Sequence, residues 1–210
     1  MSHLGLFGGS FDPPHVAHLI AAECAVEQFS LDRVLFIPAG LPPHKTDRRL
    51  ASSGDRLAMT ELAIQGNDRF AVDPLELERP GPSYTIDTLL QLRKRYQPES
   101  LTLIIGADML AIFPSWHRSE EILGLARVAV LPRPGTTAAM IPEGLSDRVT
   151  ALKMPLIEIS STMIRERIQH GRSTRYLVPD AVGAYIKQHR LYTEVGDEAL
   201  SNGHTTTQTA

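Results

Sequence analysis

The chain has 210 residues, 21 basic and 24 acidic side chains, and a formal net charge of -3. That length suits one domain with a core large enough to fold unstapled, and the near-balanced charge excludes the broad basic field of a non-specific nucleic-acid binder. A lone cysteine, Cys24, excludes an internal disulfide, and no apolar run approaches the roughly 20 residues of a membrane span. With no basic-plus-apolar signal at the amino terminus, the expectation is a soluble cytoplasmic protein without a membrane partner. Cys24 itself falls in the apolar pattern of the first helix and is assigned to packing.

Leu4-Gly5-Leu6-Phe7 is a short apolar run of the kind a buried parallel strand shows. Gly8-Gly9-Ser10-Phe11-Asp12-Pro13-Pro14-His15-Val16-Ala17-His18 follows it, and a helix is predicted from His15 to Gln28. Two glycines strip side chains from the turn, and the helix start behind it offers unpaired N–H groups and a positive dipole end. His15 and His18 lie on one helical face. Gly8, Gly9, Ser10 and Phe11 with the two imidazoles therefore read as a polyphosphate clamp at the carboxyl end of a strand. The Gly-Lys-Ser/Thr ending of a P-loop and the Gly-x-Gly-x-x-Gly of a dinucleotide turn are both absent. A His-x-x-His pair is also half of a zinc site, but no nearby Cys or spaced His supplies a third ligand. Two histidines capping a helix start are the plain structural alternative.

Arg33–Pro38 predicts a second buried strand, joined to the first by a right-handed crossover. The proline-rich loop after it carries His44 and Lys45 to the same sheet end, which makes Lys45 a phosphate candidate. A helix is predicted over 54–65, capped by Gly66-Asn67, then a strand at Phe70–Asp73. Glu76 to Thr85 is rich in breakers and opens into a helix from Tyr84 to Tyr96, with Ser83 as N-cap. Its exposed first turn holds Tyr84 and Thr85, where free N–H groups can accept a carboxylate.

Leu101–Ile105 is the clearest central strand. Gly106 behind it lets a base or sugar approach the backbone, and Asp108 is a candidate for ribose hydroxyls as well as an N-cap. Trp116, on a proline-broken loop at the same end, is either packing or a stacking partner for a flat ring. Val128–Leu131 predicts another strand, followed by Arg133 between two prolines, ready to stack on a base or reach a phosphate. The stretch 136–152 reads as a loop with one helical turn. Pro155–Ile159 is predicted as the last strand, delivering Ser160, Ser161 and Thr162 as caps of a helix with Arg165 one turn in: a second polyphosphate site. Arg167, Arg172 and Arg175 enlarge its positive charge. A short helix ends near His189, giving a domain over 1–192. The polar repeat over 193–210 predicts a disordered tail.

Two phosphate-binding helix starts can grip one triphosphate from opposite sides, and no activated nucleophile such as Gly-x-Ser-x-Gly is present. The predicted chemistry is in-line attack of a phosphate monoester on the α-phosphorus of ATP, with Mg²⁺ on the polyphosphate and His15, His18, Lys45 and Arg165 neutralising charge.

The first motif resembles the Gly-x-Phe-Asp-Pro-x-His-x-Gly-His signature of the nucleotidyltransferase superfamily, with Ala17 where glycine is usual. With Ile37-Pro38, Pro42 to Lys45, Gly81 to Thr85, Ile104 to Asp108, Pro114-Ser115-Trp116, Arg133-Pro134-Gly135 and Ile159 to Arg167, the chain is similar to the bacterial nicotinate-nucleotide adenylyltransferases up to Tyr192. That resemblance implies a Rossmann-like doubly wound parallel α/β sheet with helices on both faces, and AMP transfer from ATP to nicotinate mononucleotide. It implies Tyr84, Thr85 and Trp116 around the pyridine ring, and Gly106, Asp108 and Arg133 serving ATP; His117 stands where relatives often carry tyrosine. A homo-oligomer stays open.

Overall fold

Leu4, Leu6, Leu35, Ile37, Leu103 and Ile105 pack into one apolar cluster, while the alternating Phe7, Val34, Phe36 and Ile104 pack into another. Strands apolar on both faces require cover on both, which is the condition for a parallel sheet. The computed structural model describes residues 2–40, 50–132 and 147–193. Its strands are β1 (His3–Gly9), β2 (Arg33–Pro38), β3 (Phe70–Val72), β4 (Ser100–Gly106), β5 (Arg127–Leu131) and β6 (Val149–Ala151). They form one sheet in the order β3-β2-β1-β4-β5-β6, every pair parallel. This is the doubly wound Rossmann-like order, whose direction reverses between β1 and β4 and leaves a crevice there.

The helices are α1 (Val16–Phe29), α2 (Ser53–Ile64), α3 (Thr85–Tyr96), α4 (Ala107–Ile112), α5 (Ser119–Leu125), α6 (Ser161–Gln169) and α7 (Asp180–Gln188). Ile86, Leu89 and Leu92 of α3 and Ile122 of α5 cover one face of the sheet. Ala21, Ala22, Ala25 and Val26 of α1 cover the other, small side chains that let the helix lie close. A third cluster joins Met59 and Ala63 of α2, Ile164 of α6 and Val182 and Ile186 of α7. No helix of the described residues is long and apolar enough to cross a membrane.

Two predicted elements differ. The last strand is Val149–Ala151, inside the stretch read as a loop, and Pro155–Ile159 is an extended connector. Leu156 is 64% exposed, so the connector's apolar residues do not sit in the sheet, and only Ile159 packs, against the third cluster. Three caps differ too. Tyr84, not Ser83, is the N-cap of α3, and Ser83 Oγ instead donates to the Glu76 carbonyl at 3.4 Å. Gly106, not Asp108, caps α4, and Gln65 ends α2 before Gly66.

Asp73, at the end of β3, holds α3 in place. Its carboxylate accepts from Arg95 Nη1 at 2.9 and 2.8 Å, from the Tyr96 hydroxyl at 2.9 Å and from the Leu75 N–H at 3.1 Å. Asp73→Ala leaves the buried Leu75 N–H without its acceptor, which should lower stability by about 1–3 kcal/mol, read as a fall in the urea midpoint.

Candidate active site

A cavity of about 620 Å³ opens where β1, β2 and β4 end. Gly8, Gly9 and Ser10 line it from β1, Ile37 and Ala39 from β2, and Gly106 from β4. Tyr84, Thr85 and Thr88 enter from the start of α3, and Trp116 and His117 from the turn before α5. Two glycines allow close approaches, a side chain at one and backbone at the other. A Cβ at Gly106 would sit 2.3 Å from Asp108 Oδ1, so the glycine admits the carboxylate folded back over the α4 start. A Cβ at Gly40 would meet the Glu76 carbonyl at 2.4 Å, so glycine lets the β2 loop close on the segment before α3.

His15 is the N-cap of α1, and its N–H donates to His18 Nδ1 at 3.1 Å. An accepting ring nitrogen carries no proton, so the neutral His18 imidazole holds its hydrogen on Nε2. The rings stack at 3.7 Å, and Phe7 and Phe11 press edgewise on His18 at 5.8 and 5.2 Å. His15 is buried behind His18, and Phe11, 1% exposed, is a core residue that backs the imidazole rather than lining the cavity. The α1 start is also less open than expected. The Val16 N–H donates to the Leu177 carbonyl at 3.0 Å and the His18 N–H to the His15 carbonyl at 2.9 Å.

The two ends of the chain meet at the first turn. Ser160 caps α6 by accepting from the Met163 N–H at 3.1 Å, whereas the Ser161 hydroxyl donates to the Pro13 carbonyl at 2.8 Å. Thr162 Oγ1 accepts from Arg165 Nη2 at 3.2 Å, and Arg165 Nη1 donates to the Asp12 carbonyl at 2.7 Å. Of the predicted basic cluster only Arg165 comes here. Arg167, two residues on and so on a different face of α6, donates its Nε–H to the Ser173 carbonyl, and Arg175, beyond the helix, lies 5.2 Å over the Tyr176 ring. Lys45, His44 and Arg133 lie outside the described residues.

Asp12, fully buried, had no assigned role. Its Oδ1 accepts from the Tyr192 hydroxyl at 2.7 Å and the Ala51 N–H at 3.1 Å, and its Oδ2 stands 3.7 Å from Arg165 Nη1. Arg56 was missed as well: it is 4% exposed and its Nη1 donates to the Ser10 carbonyl at 3.0 Å. Burial pushes its guanidinium below its usual range, with the Asp12 charge pulling it back. Burial, then the Asp12 charge, pushes the Tyr192 phenol far upward, so it remains a donor. A lone arginine in a helical pattern and a tyrosine near the chain's end carry no local signal for these contacts.

On the other side of the cavity the Tyr84 and His117 rings approach to 4.7 Å, tilted at 45°. Trp116 both lines the cavity and packs on Phe113 at 5.2 Å, so the two alternatives for it coexist. Glu76, also unassigned from sequence, lines the same space and accepts from Thr88 Oγ1 at 2.7 Å. Burial raises its carboxyl above the usual range, against the Thr88 and Gly40 hydrogen bonds and the Arg79 charge, which lower it.

The raised value means that folded Glu76 holds its proton more tightly than the unfolded chain does. Its contribution is therefore full below the unfolded pKa of about 4.3 and is lost as pH rises through the folded value. Glu76→Gln should lose this dependence: its urea midpoint, relative to wild type, should rise between about pH 4 and pH 7. A difference that stays flat across that range would contradict burial of a charge at this position.

A cytidylyltransferase-like family model matches residues 6–167. A Thermomicrobium roseum protein named probable nicotinate-nucleotide adenylyltransferase is 46% identical over 201 residues, covering 93% of this chain and 94% of that one. An Exiguobacterium sibiricum protein of the same name is 47% identical over 189 residues, covering 90% and 98%. In fold, the chain is similar to Plasmodium falciparum nicotinic acid mononucleotide adenylyltransferase complexed with NaAD, at a TM-score of 0.72, 17% identity and 91% and 98% coverage. With a crevice at the strand-order reversal, a glycine turn ending in paired imidazoles and relatives of this closeness over nearly its whole length, the chain belongs to the cytidylyltransferase-like family, among the nicotinate-nucleotide adenylyltransferases.

Proposed function

We propose that this chain transfers AMP from ATP to nicotinate mononucleotide, giving nicotinate adenine dinucleotide and pyrophosphate on the cytoplasmic route to NAD. The observation that carries the reading is the join between the first turn and α6: Arg165 and Ser161 bond to the carbonyls of Asp12 and Pro13, next to the imidazoles. A triphosphate laid along that join meets His18 Nε2–H and Arg165, with Lys45 as a further cation from the loop after β2. Gly8, Gly9 and Ser10 leave the backbone open to it, Ser160, Ser161 and Thr162 frame it from α6, and Gly106, Asp108 and Arg133 take the adenosine end.

The second substrate enters from α3. Thr85 and Tyr84 put the first turn of a 12-residue helix into the cavity, and a helix start favours an anion. Trp116 and His117 supply ring faces for the pyridine. A 5′-phosphate oxygen of the mononucleotide attacks the α-phosphorus, a P–O bond forms, and the bond to the β-phosphate oxygen breaks with its electron pair leaving on pyrophosphate. No covalent enzyme intermediate is needed, and positioned cations and N–H donors stabilise the charge that spreads over the phosphoryl oxygens.

Mg²⁺ would arrive on ATP's own oxygens, since this ion keeps several waters and is commonly held by substrate phosphates. Bound there, the ion neutralises polyphosphate charge; the side chains here orient the phosphates and donate hydrogen bonds.

Pyrophosphate release with ATP and a panel of nicotinate mononucleotide, nicotinamide mononucleotide and pantetheine phosphate tests the reading. Turnover with the first should exceed the others, since only it presents a ring carboxylate to the α3 start; preference for another acceptor overturns the assignment. His18→Ala should lower kcat about 10²- to 10³-fold in a folded, ATP-binding protein. Near-normal turnover would remove His18 from the chemistry. Trp116→Ala should raise KM for the mononucleotide more than for ATP.

A further inference from the structure

We propose that Tyr192 is a positioning residue of the phosphate clamp, its hydroxyl holding the Asp12 carboxylate so that Arg165 stays turned toward bound ATP. The inference rests on the adenylyl-transfer reading and adds to it a residue from the far end of the chain.

Asp12 lies in the turn and is fully buried, so its charge must be met inside the protein. Its two oxygens are treated differently. Oδ1 accepts two hydrogen bonds, from Tyr192 at 2.7 Å and Ala51 at 3.1 Å. Oδ2 accepts none among the described residues and faces Arg165 Nη1 at 3.7 Å, beyond hydrogen-bond range. Arg165 instead donates to the Asp12 carbonyl and to Thr162 Oγ1. A guanidinium has five N–H donors. One held by a carbonyl and a hydroxyl, with the carboxylate's Oδ1 engaged by other donors, keeps charge and donors for a phosphate. One locked in a bidentate pair with Asp12 would not.

The Tyr192 backbone supports the assignment. Its φ is 64°, in the left-handed region that a bulky residue seldom adopts. The chain is thus held in an unfavourable turn that delivers this hydroxyl, while the ring packs with α2, α6 and α7. Such a conformation persists only where its surroundings over-determine it. Without the hydroxyl, Asp12 loses its shortest donor, and Arg165 is the cation already within ion-pair distance of its carboxylate.

The test is a cycle of wild type, Tyr192→Phe, Arg165→Ala and the double variant. ATP affinity is read by calorimetry, kcat and both KM values by pyrophosphate release, and folding by thermal midpoint. Tyr192→Phe should weaken kcat/KM for ATP about 10- to 100-fold, the scale of a small misplacement of a catalytic group. KM for the mononucleotide should stay within about twofold, and in the Arg165→Ala background the substitution should cost almost nothing more. A loss of the same size in both backgrounds, or no loss, overturns the proposal, since general destabilisation would add to Arg165→Ala. Should Tyr192→Phe not fold, Tyr192→Met, which fills the apolar surroundings and likewise lacks a donor, is put through the same cycle under the same criterion. ATP affinity is measured without a second substrate. An inactive wild type with intact Tyr192–Arg165 coupling would therefore sink the nicotinate reading alone.

Discussion

A single carboxylate with no access to water organises the catalytic end of this molecule. Its oxygens take a backbone amide before α2 and a phenol after α7, over sequence separations of 39 and 180 residues, while the Asp12 carbonyl takes the Arg165 guanidinium from α6, 153 residues away. Buried ion pairs seldom add net stability, because desolvation offsets the attraction. What Asp12 enforces is arrangement. Its burial is tolerable only when these distant donors have arrived, so the phosphate-side turn takes its shape only once the carboxyl-terminal helices are docked.

The sheet supplies the other constraint. The reversal of strand order between β1 and β4 leaves a crevice at their carboxyl ends, and both strands end in glycine there. Helix cover on both faces forces loops and helix starts to the sheet ends. In the proposed reading the α1 and α6 starts serve the phosphates and the α3 start the pyridine, and Asp73 fixes the direction in which α3 departs. Two substrates can be brought together over the crevice without either crossing the sheet.

Much of this was legible because it is local. Short continuous apolar runs marked β1, β2, β4 and β5, and the glycine turn with His15 and His18 declared itself in eleven contiguous residues. Failures came where the deciding contact is not local. Val149–Ala151 is a short edge strand that owes its existence to pairing with β5, whereas Pro155–Ile159 has the better strand composition and no partner. Phe11 sits inside the motif yet turns into the core, and Arg56, Glu76 and Tyr192 gain their meaning only from what packs against them. Caps went astray for a related reason: Ser83 is a good capping residue, but its hydroxyl is committed to the Glu76 carbonyl.

The paired histidines show why the motif tolerates so little rearrangement. One ring does two jobs at once. His18 Nδ1 closes the amino end of α1 by accepting from the His15 N–H, and that same bond settles that the outward nitrogen, Nε2, is a donor. Phe7, Phe11 and the His15 ring then hold the imidazole from three sides. A side chain with one nitrogen or oxygen cannot serve both ends, and an amide would lose the aromatic packing. The helix cap and the core are therefore one structural unit, with Ala17 inside the helix that the two histidines open.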